Sequence, residues 1–218
     1  MAAQYLYAIT HNHGPTLPAL AGVEGVPIAA VAVPPLAAVV APLTVRSLPP
    51  TEAYLWQHEA VLEALMQQQT ILPVRFGTLL RDVEAVREVL TRHAATFEAD
   101  LERVRGCVEL SLRVLWEQEP PADPQSGRDY LLGRLAQQQQ ARTRADALHT
   151  PLAALARDTR LRLLETPRML LTAAYLVEQT QVAHVRQTVA ELAHEHPDLQ
   201  LLCTGPWPVY HFVSKLAD

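Results

Sequence analysis

Apolar and polar positions change period several times along the chain, and each change marks an element. "QYLYAIT", Gln4 to Thr10, is rich in β-formers and runs into the loop "HNHGP". Pro27 to Val33 and Leu36 to Ala41 read as two further strands. Neither alternates cleanly, so each is expected to be covered on both faces. Thr51 then caps a helix to about Gln68, with Tyr54, Leu55, His58, Leu62, Leu65 and Met66 at a 3.6-residue period. Thr70 to Leu80 reads as a strand interrupted by Pro73 and Gly77. Asp82 caps a second helix, whose apolar stripe runs from Val83 through Leu90, His93 and Phe97 to Val104, with Gly106 at its C′ end.

The second half opens on "CVELSLRVLWE", Cys107 to Glu117, whose strict alternation predicts a half-exposed strand. "QEPPADPQSG" is a loop. Asp129 to Glu165 reads as one long helix with a kink or restart at Thr150-Pro151, ended by Thr166-Pro167. "RMLLTAAYLVE" is a strand, Gln181 to Glu195 a helix, and "LQLLCT" a last strand that runs into "TGPWPVYHFV". The order β-β-β-α-β-α followed by β-α-β-α-β predicts an α+β protein of two subdomains. Residues 1–105 form an N-terminal ferredoxin-like sheet with helices on one face. Residues 106–218 form a C-terminal α+β domain with a long helical element and a Trp/Pro tail.

Composition narrows the function classes. Of the 218 residues, 49% are hydrophobic and 19% charged, which suits a folded chain rather than a disordered one. The net charge of -5 provides no basic field for nucleic acid. Val26 to Val45 carries no charge and is long enough for a membrane helix, but Pro27, Pro34, Pro35 and Pro42 argue for short strands instead of a span. The N-terminus lacks the basic and apolar regions of a signal peptide. Cys107 and Cys203 read as reduced thiols of a cytoplasmic protein.

Candidate chemistry is sparse. His11 and His13, and His194 and His196, lack zinc-site spacing, so no metal is expected. His93 reads as a core histidine. His58 beside Glu59 has the composition of an acid-base pair, but no nucleophile motif or phosphate loop accompanies it, and no catalytic residue or cofactor is assigned. Arg75 points away from Leu72, Val74 and Phe76; it either pins sheet to helix through Glu59 or Glu63 or anchors a partner. Gly77 permits a bulge or close approach of another chain. Trp207, fixed between Pro206 and Pro208, is either a plug over the core or, with Tyr210, a rigid recognition site.

Two stretches carry a resemblance. "ILPVRFGT" (Ile71 to Thr78) and "TGPWPVYHFV" (Thr204 to Val213) resemble the two signature regions of the gas vesicle protein GvpF/GvpL family. "YLYAIT", "LAAVV", "HEAVLEAL", "GCVELSLRV", "GRDYLLGRL" and "AAYLVE" match other parts of the family in order, so the likeness spans the chain. Pro35 stands where the family has an acidic residue, and Val209 where it often has a second proline. The resemblance implies a non-catalytic assembly or nucleation factor, or minor component, of gas vesicles, located in the cytoplasm and at the vesicle. It implies contact with the small hydrophobic shell protein and with other accessory proteins; the residues themselves offer two surfaces for this, first the N-terminal sheet at Arg75, Phe76 and Gly77, and second the tail at Trp207 and Tyr210. Rival readings are a small-molecule sensor built on paired ferredoxin-like subdomains, and an enzyme using His58 and Glu59.

Overall fold

The computed structural model describes residues 2–12, 17–45, 47–117, 127–163 and 168–214; between 127 and 137 only the backbone is described, Leu135 excepted. His13, most of the loop after Glu117 and the helix stop at Thr166-Pro167 lie outside the described residues. The fold is α+β, with two antiparallel sheets. The chain divides into two compact units: Met1–Cys107 together with Trp207–Asp218, and Val108–Pro206. The break falls close to Arg105-Gly106. The segment from Trp207 onward groups with the N-terminal unit, although sequence order alone places it in the C-terminal one; the buried residues described below hold it there.

The N-terminal unit contains β1 (Ala3–His11), β2 (Ala29–Val33), β3 (Leu36–Leu43), α1 (Glu52–Met66), β4 (Ile71–Pro73), β5 (Leu79–Leu80), α2 (Val83–Arg92) and α3 (Ala94–Val104). Its ferredoxin-like sheet has the order β2-β3-β1-β4, with β5 also on β1. Thr51 and Asp82 cap α1 and α2 as expected, accepting from the amides of Tyr54 (3.4 Å) and Ala85 (2.8 Å). Gly106, at φ 68°, takes the left-handed turn after α3.

β1 is buried without a break from Gln4 to Thr10, so both of its faces are covered. On one face Tyr5, Tyr7, Val39 and Ala41 pack with Val61, Leu62 and Leu65 of α1. Leu6, Ala38 and Val40, of opposite parity, are equally buried. α2 and α3 both approach this sheet, and their buried residues belong to no part of the α1 core. Helices therefore cover the sheet more fully than a one-sided plan, as the missing alternation in Leu36 to Ala41 anticipates; the same expectation fails for β2, an outer strand in which only Val31 is buried.

The single long stripe from Val83 to Val104 proves to be two helices. The chain breaks at His93 (φ -108°, ψ 14°), which is half-buried beside the ring of Phe97 rather than in the core.

The C-terminal unit is built from β6 (Cys107–Trp116), α4 (Gly127–Ala153), β7 (Asp158–Leu163), β8 (Met169–Glu178), α5 (Val182–Glu195) and β9 (Leu199–Trp207). The sheet order is β7-β8-β6-β9. Leu110, Leu112, Leu171 and Tyr175 pack against Leu148 and Leu152 of α4 and Val185 of α5. The helix expected to reach Glu165 stops at Ala153, because Asp158–Leu163 pairs with β8 as an edge strand. Pro151 sits in the last turn of α4. Cys107 is buried and Cys203 half-buried, and neither is in a disulfide.

Candidate functional site

The two signature segments meet in the N-terminal unit. Adjacent residues of β1 define the first: the amide of Val74 donates to Tyr7 O (2.8 Å), and the amide of Leu6 to Thr78 O (3.0 Å). One step along β1 is thus matched by four along its partner, and Arg75–Gly77 are looped out of the strand. Thr78 Oγ1 donates to Arg75 O at 2.8 Å and closes the loop, and Gly77 supplies its φ of 83°.

The second segment folds back as a tight turn. Tyr210 N donates to Pro208 O (2.8 Å) and Phe212 N to Val209 O (3.0 Å). Val209 and Phe212 enter the core. Asp100 of α3, itself buried, accepts from Ser214 N at 2.7 Å and pairs with Arg103, which donates to Phe212 O at 2.5 Å. The plug of the core is therefore Phe212. Trp207, for which a plug is one of two readings, ends β9 before the turn begins and is 39% exposed.

His58 of α1 joins the two segments and is 0% exposed. Its Nε2 lies 3.1 Å from Val74 O and 3.3 Å from Tyr210 Oη. A carbonyl only accepts, so Nε2 carries the proton. In the neutral ring Nδ1 then accepts, and Tyr5 Oη donates to it at 2.9 Å. Tyr5 Oη itself accepts from Gly77 N (3.2 Å), while Tyr210 Oη donates to Glu59 Oε1 (3.0 Å). The bonds run in one direction, from the looped-out glycine through Tyr5, His58 and Tyr210 to Glu59. Tyr7 stacks on the imidazole at 5.4 Å, and Phe76 meets it edge-on at 5.8 Å.

The electrostatics follow from burial. His58 is pushed down to about 4, with the Val74 carbonyl opposing. Burial raises the Glu59 carboxyl above its ordinary value; the Tyr210 hydroxyl opposes this and Glu63 adds to it. Burial likewise raises the Tyr5 phenol, and it pushes Tyr7 up to about 12. Both ring nitrogens of His58 are engaged within the protein and none of its surface meets water. The His58–Glu59 pair ties α1 to the two signature segments.

Tyr7 Oη accepts from Val23 N at 2.8 Å, which brings the phenol against Gly22. A Cβ at residue 22 would overlap that oxygen. Gly22→Ala is expected to cost about 1–3 kcal/mol through overpacking, read as a lower urea midpoint.

Of the five candidate residues, Phe76, Gly77 and Tyr210 gather around His58. Arg75 and Trp207 remain exposed. Arg75 forms no ion pair with Glu59 or Glu63 among the described residues, so the sheet-to-helix pin is replaced by the Tyr210–Glu59 bond. The reach of the looped-out turn, which breaks the alternation, carries Arg75 off the sheet. Trp56, to which sequence reasoning assigns no role, is 67% exposed on α1, and Leu55 beside it is exposed although spacing placed it on the apolar stripe. The signal for Trp56 was an aromatic out of register with His58, Val61, Leu62 and Leu65.

Comparison with known proteins agrees with this architecture. A family profile described as gas vesicle synthesis protein GvpL/GvpF matches residues 3–214. Gas vesicle protein L of a Streptomyces species is 34% identical over 183 residues, covering 72% of this chain and 67% of that protein. Gas vesicle protein F2 of Halobacterium salinarum is 26% identical over 183 residues, 82% of this chain and 76% of its own. The crystal structure of GvpF from Anabaena sp. PCC7120 superposes with a TM-score of 0.85 at 18% identity, covering 100% of this chain and 98% of that one. GvpF from Microcystis aeruginosa gives 0.83 at 20% identity, over 99% and 100%. The chain belongs to the GvpL/GvpF family of gas vesicle synthesis proteins.

Proposed function

We propose that this protein binds the small apolar shell protein of gas vesicles and supports its assembly, without catalysis, in the cytoplasm and at the growing vesicle. The observation that carries the reading is a division of labour within the two signature segments. Phe76, Gly77 and Tyr210 are spent on holding the segments together around His58. Arg75 and Trp207 are left outward, an exposed cation and a stiffened aromatic of the kind that anchors protein interfaces. Exposed Trp56 offers a third anchor. Other vesicle accessory proteins are further partners under this reading.

The test is co-expression with the cognate shell protein and pulldown from matched lysates. Wild type is expected to retain the shell protein. Arg75→Glu and Trp207→Ala, with folds checked by circular dichroism, are expected to retain about tenfold less, the effect of roughly one lost anchor. Trp56→Ala reports whether the surface extends onto α1. A wild type that retains no shell protein would overturn direct binding.

A further inference from the structure

We propose that β7, the outer strand of the C-terminal sheet, is a docking edge for an extended segment of a partner protein in which acidic and apolar residues alternate. The proposal stands apart from shell-protein binding, because it concerns the other unit. Among the described residues β7 pairs with β8 alone and ends the sheet. The amide of Thr159 donates to Asp158 Oδ1 (2.7 Å) and its carbonyl accepts from Arg160 Nη1 (2.9 Å), so this residue's backbone turns away from β8. Outward groups recur every second residue in an antiparallel ladder, which turns Leu161 and Leu163 outward as well. Among the described residues no hydrogen bond beyond the ladder reaches the backbone of either leucine. The first outward position is thus closed by local side chains, and the next two are open.

The side chains state what would fit. Leu161 lies opposite Ala173 and Leu163 opposite Leu171, both residues of the C-terminal core. The two leucines carry the apolar face to the rim of the sheet, where they are 37% and 39% exposed. Arg160 and Arg162 occupy the opposite face, across from Ala174 and Thr172. Arg160 is held by Asp158 at 2.9 Å, whereas Arg162 is exposed and makes no ion pair among the described residues. An added strand would place apolar residues beside Leu161 and Leu163 and a carboxylate beside Arg162, with main-chain bonds supplying the common adhesion. A second copy of β7 fits less well. The antiparallel registers that pair leucine with leucine set Arg162 against Arg160 or Arg162 of the other copy, and the register that sets Arg162 opposite Asp158, a carboxylate already held by Arg160, gives up the leucine pairs.

The probe is a fluorescein-labelled peptide, Gly-Glu-Val-Glu-Val-Glu-Gly, titrated with the full chain by anisotropy. It is compared with its Lys-Val counterpart and with a peptide of the same composition whose glutamates and valines are in blocks. The alternating acidic peptide is expected to bind at least about tenfold more tightly than either. Arg162→Glu is expected to invert the preference toward the Lys-Val peptide. Arg162→Gln is expected to bring the two to parity, and serves if the glutamate variant loses its fold by circular dichroism. Absence of binding, equal binding of the block peptide, or a preference unmoved by both variants would overturn the proposal. So would phosphatidylglycerol vesicles binding through Arg162 in place of the peptide, or a wild-type dimer that Arg162→Glu dissolves.

Discussion

Replacing His58 with alanine is expected to remove about 3–5 kcal/mol of stability, the range for deleting a large buried side chain. The ring fills the space between Tyr7 and Phe76, and its loss opens a cavity there. It also strips Tyr5 Oη of its acceptor and Val74 O of its donor, in a place without access to water. His58→Phe separates the two effects. The ring volume is kept and the polar partners are stranded, so a loss of about 1–3 kcal/mol is expected. Urea midpoints of the three proteins at pH 7.5 decide the matter. If alanine leaves the midpoint unchanged, His58 is not the tie between the two signature segments.

Acidification from about pH 6.5 to about pH 4 is expected to cost about 3 kcal/mol through the same residue, since each unit of pKa difference corresponds to about 1.36 kcal/mol. The folded ring titrates near 4 and the unfolded one near 6.5. Between those values the unfolded chain takes up a proton that the folded one refuses. The stabilisation is thus fully present above pH 6.5, falls as pH drops, and levels off below about 4. Glu59 acts in the opposite sense. Its carboxyl is raised, so the folded state keeps that proton to higher pH than the unfolded state and is relatively favoured at the acid end. The informative quantity is therefore the difference between wild type and His58→Phe, in which Glu59 remains. Wild type should lose more stability between pH 7 and pH 4.5 than the phenylalanine variant. Parallel losses would mean that His58 is not held neutral by burial.

Local signals were sufficient for most elements. The caps at Thr51 and Asp82, the turn at Gly106 and the alternation of β6 from Leu110 onward each rest on a few neighbouring residues, and each is legible; at Cys107 to Leu110 both faces of β6 are buried, Glu109 included. β7 was not, because "DTRLRL" follows a long helix and its Arg and Leu are also good helix formers; pairing with β8 decides its state. The break at His93 was hidden for a similar reason, since the apolar spacing continues across it. The site was half legible. Family likeness marked the two segments, and spacing put His58 on the buried stripe. What joins them is a set of hydrogen bonds between residues 53 and 152 positions apart, and no periodicity reports partners at that range.

The chain leaves the N-terminal unit at Cys107 and rejoins it at Trp207. During synthesis on the ribosome, β1 to α3 are made before the C-terminal unit, yet Tyr210, Phe212 and Ser214 emerge only after the whole of it. Until then Asp100 lacks the amide of Ser214, and the core lacks Phe212. The unit translated earlier is in this sense the one finished later. A chain stopped before Trp207 would carry the residues of both sheets and still leave the place of Phe212 empty and Asp100 without the Ser214 amide.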